Sequence, residues 1–208
     1  MKKSLLGLMI MLFVGTGLYS AEMKSLGITA SIGAKSFGES GGMDSYYDYL
    51  WVGLQINLSD EFTIRPAFLA SIFEEDKEVK IGGENPYEET ENTYGAKCGF
   101  FYSFEVKEKF NLYFGPEILI ISSSRKQDYE GSNDSERESL LANFFIRIGG
   151  QYMFSEDFGV FGDIGFGLET YNTKYKSINT LGVVTSETET NSTNFRTSNA
   201  VLGAVLFF

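Results

Sequence analysis

From Leu26 to the C-terminus the chain alternates apolar residues with small or polar ones at a period of two, in segments broken by polar or acidic stretches. Leu26, Ile28, Ala30, Ile32 and Ala34 share one face of the first segment. Leu50, Val52, Leu54, Ile56 and Leu58 share one face of the second, and Phe62, Ile64, Pro66, Phe68, Ala70 and Ile72 one face of the third. The same alternation runs through Ala96–Phe104, Phe110–Ile120, Ala142–Phe154, Phe158–Leu168 and Ala200–Phe208. Side chains on a strand point to opposite faces in turn, so each segment predicts an amphipathic β-strand, and eight strands are expected. Pro66 and Pro116 fall inside strands, where a missing N–H interrupts the ladder.

The connections alternate in length. Ser59–Glu61, Glu105–Lys109 and Ser155–Asp157 read as tight turns, whereas Gly38–Asp44, Glu74–Asn92, Ser124–Ser139 and Asn172–Asn194 read as long polar loops. In an up-and-down meander this puts the tight turns at one end and the long loops at the other. Phe62, Phe110 and Phe158 each follow a tight turn.

Residues 1–20 follow a different rule. Lys2 and Lys3 precede the apolar run Ser4–Val14, Gly15 and Gly17 break it, and Ser20-Ala21 supplies small residues for cleavage. This is the three-part pattern of a secretory signal, too short to span a bilayer. The expected division is a signal peptide over 1–20 and one β-domain over 21–208. Removing Lys2 and Lys3 leaves 15 basic against 28 acidic residues.

Amphipathic strands suit a soluble sandwich as well as a membrane barrel, and composition separates the two. The chain holds 23 glycines, and Gly27, Gly33, Gly53, Gly95, Gly99, Gly115, Gly149, Gly165 and Gly203 lie on the non-apolar faces. A face open to water gains nothing from glycine, whereas the inside of a small barrel is crowded. Phe62, Phe104, Phe110, Phe154, Phe158 and Phe208 gather at the tight-turn ends, as an aromatic girdle at a membrane interface does. Tyr46, Tyr47, Tyr94 and Tyr171 are candidates for a second girdle. The expected fold is therefore all-β, an eight-stranded antiparallel up-and-down transmembrane barrel with its apolar face on lipid.

Signal, strands, connection rhythm and the terminal Leu202-Gly203-Ala204-Val205-Leu206-Phe207-Phe208 together resemble the small bacterial outer-membrane barrels, among them the OmpX type, the OmpA membrane domain, the opacity proteins and the OmpW type. The resemblance implies residence in the bacterial outer membrane, contact with its lipids, and recognition of the C-terminal strand by the barrel-insertion machinery. It also implies that the long loops meet an extracellular ligand or a host surface.

Charge and chemistry narrow the function classes. A net charge of −11 opposes binding to nucleic acid. Histidine is absent and Cys98 is the only cysteine, which removes histidine-based triads, imidazole ligands, disulfides and cysteine clusters. No cofactor, metal or catalytic constellation is expected, and the histidine-using enzymes of this architecture are not matched. The inward faces of the fourth to seventh strands carry Lys97, Glu117, Arg147 and Asp163. If the tight turns are symmetric, Lys97 and Glu117 are direct cross-strand partners and Arg147 and Asp163 diagonal ones. These four, with Phe101, Leu119, Phe145 and Phe161, are expected to fill the lumen as a structural ionic cluster. Acidic residues dominate Glu74–Asn92 and Ser124–Ser139. The expected function is thus a non-enzymatic barrel with a plugged lumen and acidic loops, serving surface interaction or envelope structure. The alternative is a narrow, porin-like transporter for small hydrophobic molecules, resembling the OmpW type.

Overall fold

A computed structural model describes residues 25–34, 50–77, 87–129, 133–197 and 200–208, and the expected signal peptide and first long loop lie outside them. Nine strands follow in order: β1 Ser25–Ala34, β2 Leu50–Asn57, β3 Phe62–Lys77, β4 Tyr87–Lys107, β5 Phe110–Tyr129, β6 Asp134–Met153, β7 Phe158–Ile178, β8 Val184–Thr197 and β9 Ala200–Phe207. Every pairing is antiparallel, and consecutive strands are neighbours from β1 to β8. β9 then pairs with β7 on one edge and with β1 on the other. The sheet closes into a ring of eight positions, because β8 and β9 both lie along β7 and share the last one.

Alternation survives as burial. Along β7, Gly159, Phe161, Asp163, Gly165, Gly167, Glu169 and Tyr171 are buried while Val160, Ile164, Phe166, Leu168 and Thr170 are exposed. The sense is the reverse of a soluble protein. Ile28, Leu50, Phe68, Phe100, Ile118, Phe144, Ile148, Ile164 and Leu202 lie outside, whereas Arg65, Glu117, Arg147 and Asp163 are each at most 8% exposed inside. Charged side chains are almost never fully buried unless paired, and a continuous apolar belt of this kind has lipid as its natural solvent. The barrel is a transmembrane one. From Phe158 to Leu168 the belt on β7 rises roughly 25 Å at ordinary strand rise and tilt, the height of a barrel's apolar band.

Above that belt the structure departs from the expected loops. β7 continues to Ile178, and β8 returns from Val184 where Asn172–Asn194 reads as a loop. β3 and β4 extend through most of Glu74–Asn92, and β5 and β6 through most of Ser124–Ser139. Polar residues on both faces hide the period of two, yet water on both sides of a hairpin wall leaves strand pairing intact.

The tight turns share a local device. Ser59 Oγ accepts the backbone N–H of Phe62 at 3.0 Å, and Ser155 Oγ that of Phe158 at 3.1 Å. Both turns read Ser-acid-acid-Phe. The turn between β4 and β5 differs: Lys109 takes φ 69°, and a bulge between Glu105 and Lys107 moves the register. The prolines interrupt the ladder as expected. Gly53 pairs with Ala67 and Ile56 with Ile64, but no pairing joins β2 to β3 at Pro66. β4 and β5 likewise skip from Gly99–Glu117 to Tyr102–Phe114 around Pro116.

The girdle phenylalanines all stand at the tight-turn end. Phe62, Phe104, Phe154, Phe158 and Phe208 are exposed there, and Phe110 is half-buried. Phe154 stacks on Phe158 with ring centroids 5.7 Å apart. The second girdle is corrected in part: Tyr94 faces out, but Tyr171 is buried inside, and Tyr46 and Tyr47 lie outside the described residues.

Lumen-face glycines make room for rings. A Cβ on Gly203 would sit 2.3 Å from the Phe161 ring, and one on Gly149 2.6 Å from that of Tyr113. Gly203→Ala is therefore expected to lower stability by about 1–3 kcal/mol, the usual cost of overpacking. Urea unfolding of the refolded protein in lipid vesicles measures it, with Gly182→Ala at the open hairpin tip as a comparison for backbone strain without crowding.

Candidate functional site

The inward faces of β1 to β7 and β9 meet in the lumen, and its middle is built around two arginines. Arg147 on β6 reaches to both neighbours. Its Nε donates to Glu117 Oε1 on β5, and its Nη1 donates to Asp163 Oδ1 on β7 at 2.7 Å. Tyr113 donates its hydroxyl to Asp163 Oδ2 at 2.7 Å, so that carboxylate is held from two sides. All four side chains are buried. Desolvating such charges costs several kcal/mol each unless partners and geometry are good, and here both carboxylates meet a guanidinium fork.

Arg65 on β3 is the second centre. Its guanidinium carbon lies 4.4 Å from the Tyr113 ring centroid, 4.5 Å from Phe161 and 5.2 Å from Phe101. Its Nε donates to Gln55 Oε1 at 2.9 Å and its Nη2 to Gln151 Oε1 at 2.7 Å. Three ring faces supply cation–π attraction, which grows when water is excluded. Sequence reasoning places Arg65 on the inward face of its strand but does not select it. The available signal is parity: Arg65 shares its face with Thr63, Ala67 and Leu69, all of them buried.

Of the four predicted lumen residues, Glu117, Arg147 and Asp163 come together. Arg147 opposes Gly165, and Asp163 opposes Gly149, which is the expected diagonal relation. Lys97 is different. It pairs with Leu119, and Glu117 pairs with Gly99, so the expected direct partnership does not occur. The turn closes on Glu108 and Lys109, with Lys107 paired to Phe110, so that even with the one-residue bulge the strands are offset by two positions from a symmetric Glu105–Lys109 turn. Lys97 Nζ lies instead 5.0 Å from the ring centroid of Trp51. The predicted fillers Phe101, Leu119, Phe145 and Phe161 are all buried.

Cavities occupy both ends. One of about 420 Å³ at the tight-turn end is lined by Gln55, Asn57, Thr63, Asn111, Gln151 and their neighbours. The other, of about 390 Å³, lies at the hairpin end among Arg125, Arg137, Tyr171, Thr173 and Tyr175. Between them stand the two arginine centres and an apolar layer of Trp51, Leu69, Leu119, Ile121 and Leu141.

No family model and no curated protein matches this chain. Among solved structures it is similar to Acinetobacter baumannii CarO2, with 11% identity over 90% of this chain and 100% of that one, TM-score 0.42. It is similar also to Acinetobacter baumannii CarO, with 12% identity over 88% and 97%, TM-score 0.41. A major outer membrane protein from Thermus thermophilus shares 13% identity over 88% and 99%, TM-score 0.49. At such identity and score, function has to come from this chain's own residues.

Those residues offer ionic and cation–π contacts. Among the described residues no group of three or more acidic or cysteine side chains is placed to hold a metal ion. On the wall above the belt, Asn172 donates to Glu189 at 2.8 Å, with Lys174 also near, and the Glu189 carboxyl is held below the usual carboxylate range.

Glu117→Ala leaves Arg147 with one buried partner fewer and is expected to cost about 3–5 kcal/mol. In a double-mutant cycle by urea unfolding, Glu117 should couple to Arg147 by roughly 1 kcal/mol or more, the scale for contacting charges. Its coupling to Lys97 should be smaller. The reverse order would contradict the register.

Proposed function

We propose that this chain is a non-enzymatic barrel of the bacterial outer membrane, its lumen closed by its own side chains and its tall hairpins turned outward to interact with the cell's surroundings. The signal-like N-terminus and the closed, lipid-facing ring support the location, since single-chain barrels of this kind belong to outer membranes. The tight turns then lie in the periplasm and the hairpin ends outside.

The observation that carries the plug is Arg147 spanning from Glu117 to Asp163 at mid-lumen, beside Arg65 within three aromatic rings. A hydrophobic solute taking this path would leave those charges facing an apolar partner, which is costly. An ion would have to part rings and ion pairs that already fill an eight-stranded cylinder. This favours envelope structure or surface interaction over transport.

Single-channel recording of the refolded protein in planar bilayers tests the plug. The expected trace is quiet, with Arg147→Ala adding irregular leak. Steady, ohmic openings in the unaltered protein would overturn it.

A further inference from the structure

Arg125 on β5 and Arg137 on β6 are direct cross-strand partners, both directed into the hairpin-end cavity. Like charges placed directly opposite one another on a sheet destabilise it. Here the pair stands inside a chain of net charge −11. Arg125 is compensated by buried Glu89, 2.7 Å away, a carboxylate that also accepts from Gln127 at 2.9 Å. Arg137 Nη2 donates to the hydroxyl of Tyr171 at 2.8 Å, and Ser139 lies 3.2 Å from the same oxygen.

The cavity these arginines share holds about 390 Å³, within the usual range for small-molecule sites. Among the described residues its remaining lining is Gln127, Ser135, Tyr171, Thr173, Tyr175 and Thr190, so hydroxyls, an amide and two phenol rings surround the guanidinium pair. Guanidinium forks match carboxylates in a bidentate geometry, hydroxyls exchange hydrogen bonds with other hydroxyls, and tyrosine faces stack on sugar rings.

We propose that this outer cavity is a binding site for a sugar acid, a carboxylate-bearing carbohydrate. Its carboxylate sits between Arg125 and Arg137, its hydroxyls meet Thr173, Thr190 and Ser135, and its ring lies against Tyr175. A bound carboxylate adds to the compensation that Glu89 already gives Arg125. The proposal rests on the reading that this end of the barrel is the outer, accessible one. It does not require the lumen below to be open.

Isothermal titration calorimetry of the refolded chain in detergent micelles tests it with glucuronate, glucose and glucosamine. Glucuronate should bind about tenfold or more tightly than glucose, glucosamine should bind no better than glucose, and added salt should weaken glucuronate alone. Arg137→Gln should weaken glucuronate about tenfold, and Arg137→Lys, which keeps the charge but loses the fork, by a smaller factor. Folding of each variant is checked by its heat-dependent migration in gels. If Arg137→Gln does not fold, the three-ligand comparison on the unaltered chain decides alone. Glucuronate binding no tighter than glucose, or folded Arg137 variants that retain full affinity, would overturn the site. Loss of binding with a silent bilayer recording would sink the site and leave the plug standing; binding with steady conductance would do the opposite.

Discussion

The pairing of β9 with β7 on one edge and β1 on the other turns an open sheet into a ring, and most of the molecule's other features follow from that closure. In hydrocarbon an unpaired strand edge costs several kcal/mol per backbone group, so the wall has to close before it can enter lipid. Eight positions fix a narrow cross-section. A narrow cross-section in turn decides what fits inside: glycines at Gly149 and Gly203 where rings cross, and long side chains that reach from wall to wall. Lipid outside and confinement inside reverse the burial rule of a soluble protein, which is why Ile148 is exposed while its neighbour Arg147 is buried.

Confinement also explains why the charges come as a connected set. An isolated Arg147 in the lumen would be intolerable, whereas Arg147 is held through its Nε by Glu117 and through its Nη1 by Asp163, with Tyr113 on the far side of Asp163. Arg65 solves the same problem differently, with ring faces and two glutamine amides. Replacing only one member of such a set leaves a charge behind, so the residues act together rather than as separate contributions.

The transmembrane part of this fold is legible because lipid and lumen impose opposite chemistries on alternate residues, and each of the eight alternating segments marks a strand. Above the lipid that contrast ends. Val184–Thr197 reads Val-Thr-Ser-Glu-Thr-Glu-Thr-Asn-Ser-Thr-Asn-Phe-Arg-Thr, nearly all polar, and is mostly exposed on both faces, so periodicity has nothing to report there. Tyr171 reads as an outer-girdle residue because it lies near a strand end, although its odd position on β7, in step with Phe161 and Asp163, places it inward. Lys97 misses Glu117 for a reason no alternation reveals: the turn closes over Glu108 and Lys109, the latter at positive φ, and after the one-residue bulge the strands are slid by two residues without changing which face each side chain takes. Arg147 and Asp163 escape that error because the turn at Phe154–Phe158 is symmetric.

The central claim is that apolar residues meet lipid while the charged face encloses a water-poor lumen, and methyl NMR of the refolded protein in lipid nanodiscs reads both halves at once. A nitroxide-bearing lipid should broaden the methyls of Ile118, Ile148, Ile164 and Leu202, while a soluble gadolinium chelate leaves them sharp. Leu119, Val201 and Val205, which point inward, should stay sharp with either agent. Broadening of Leu119 or Val201 by the chelate would mean a water-filled lumen, and sharp Ile148 and Ile164 signals in the nitroxide lipid would mean that the faces have been assigned the wrong way round.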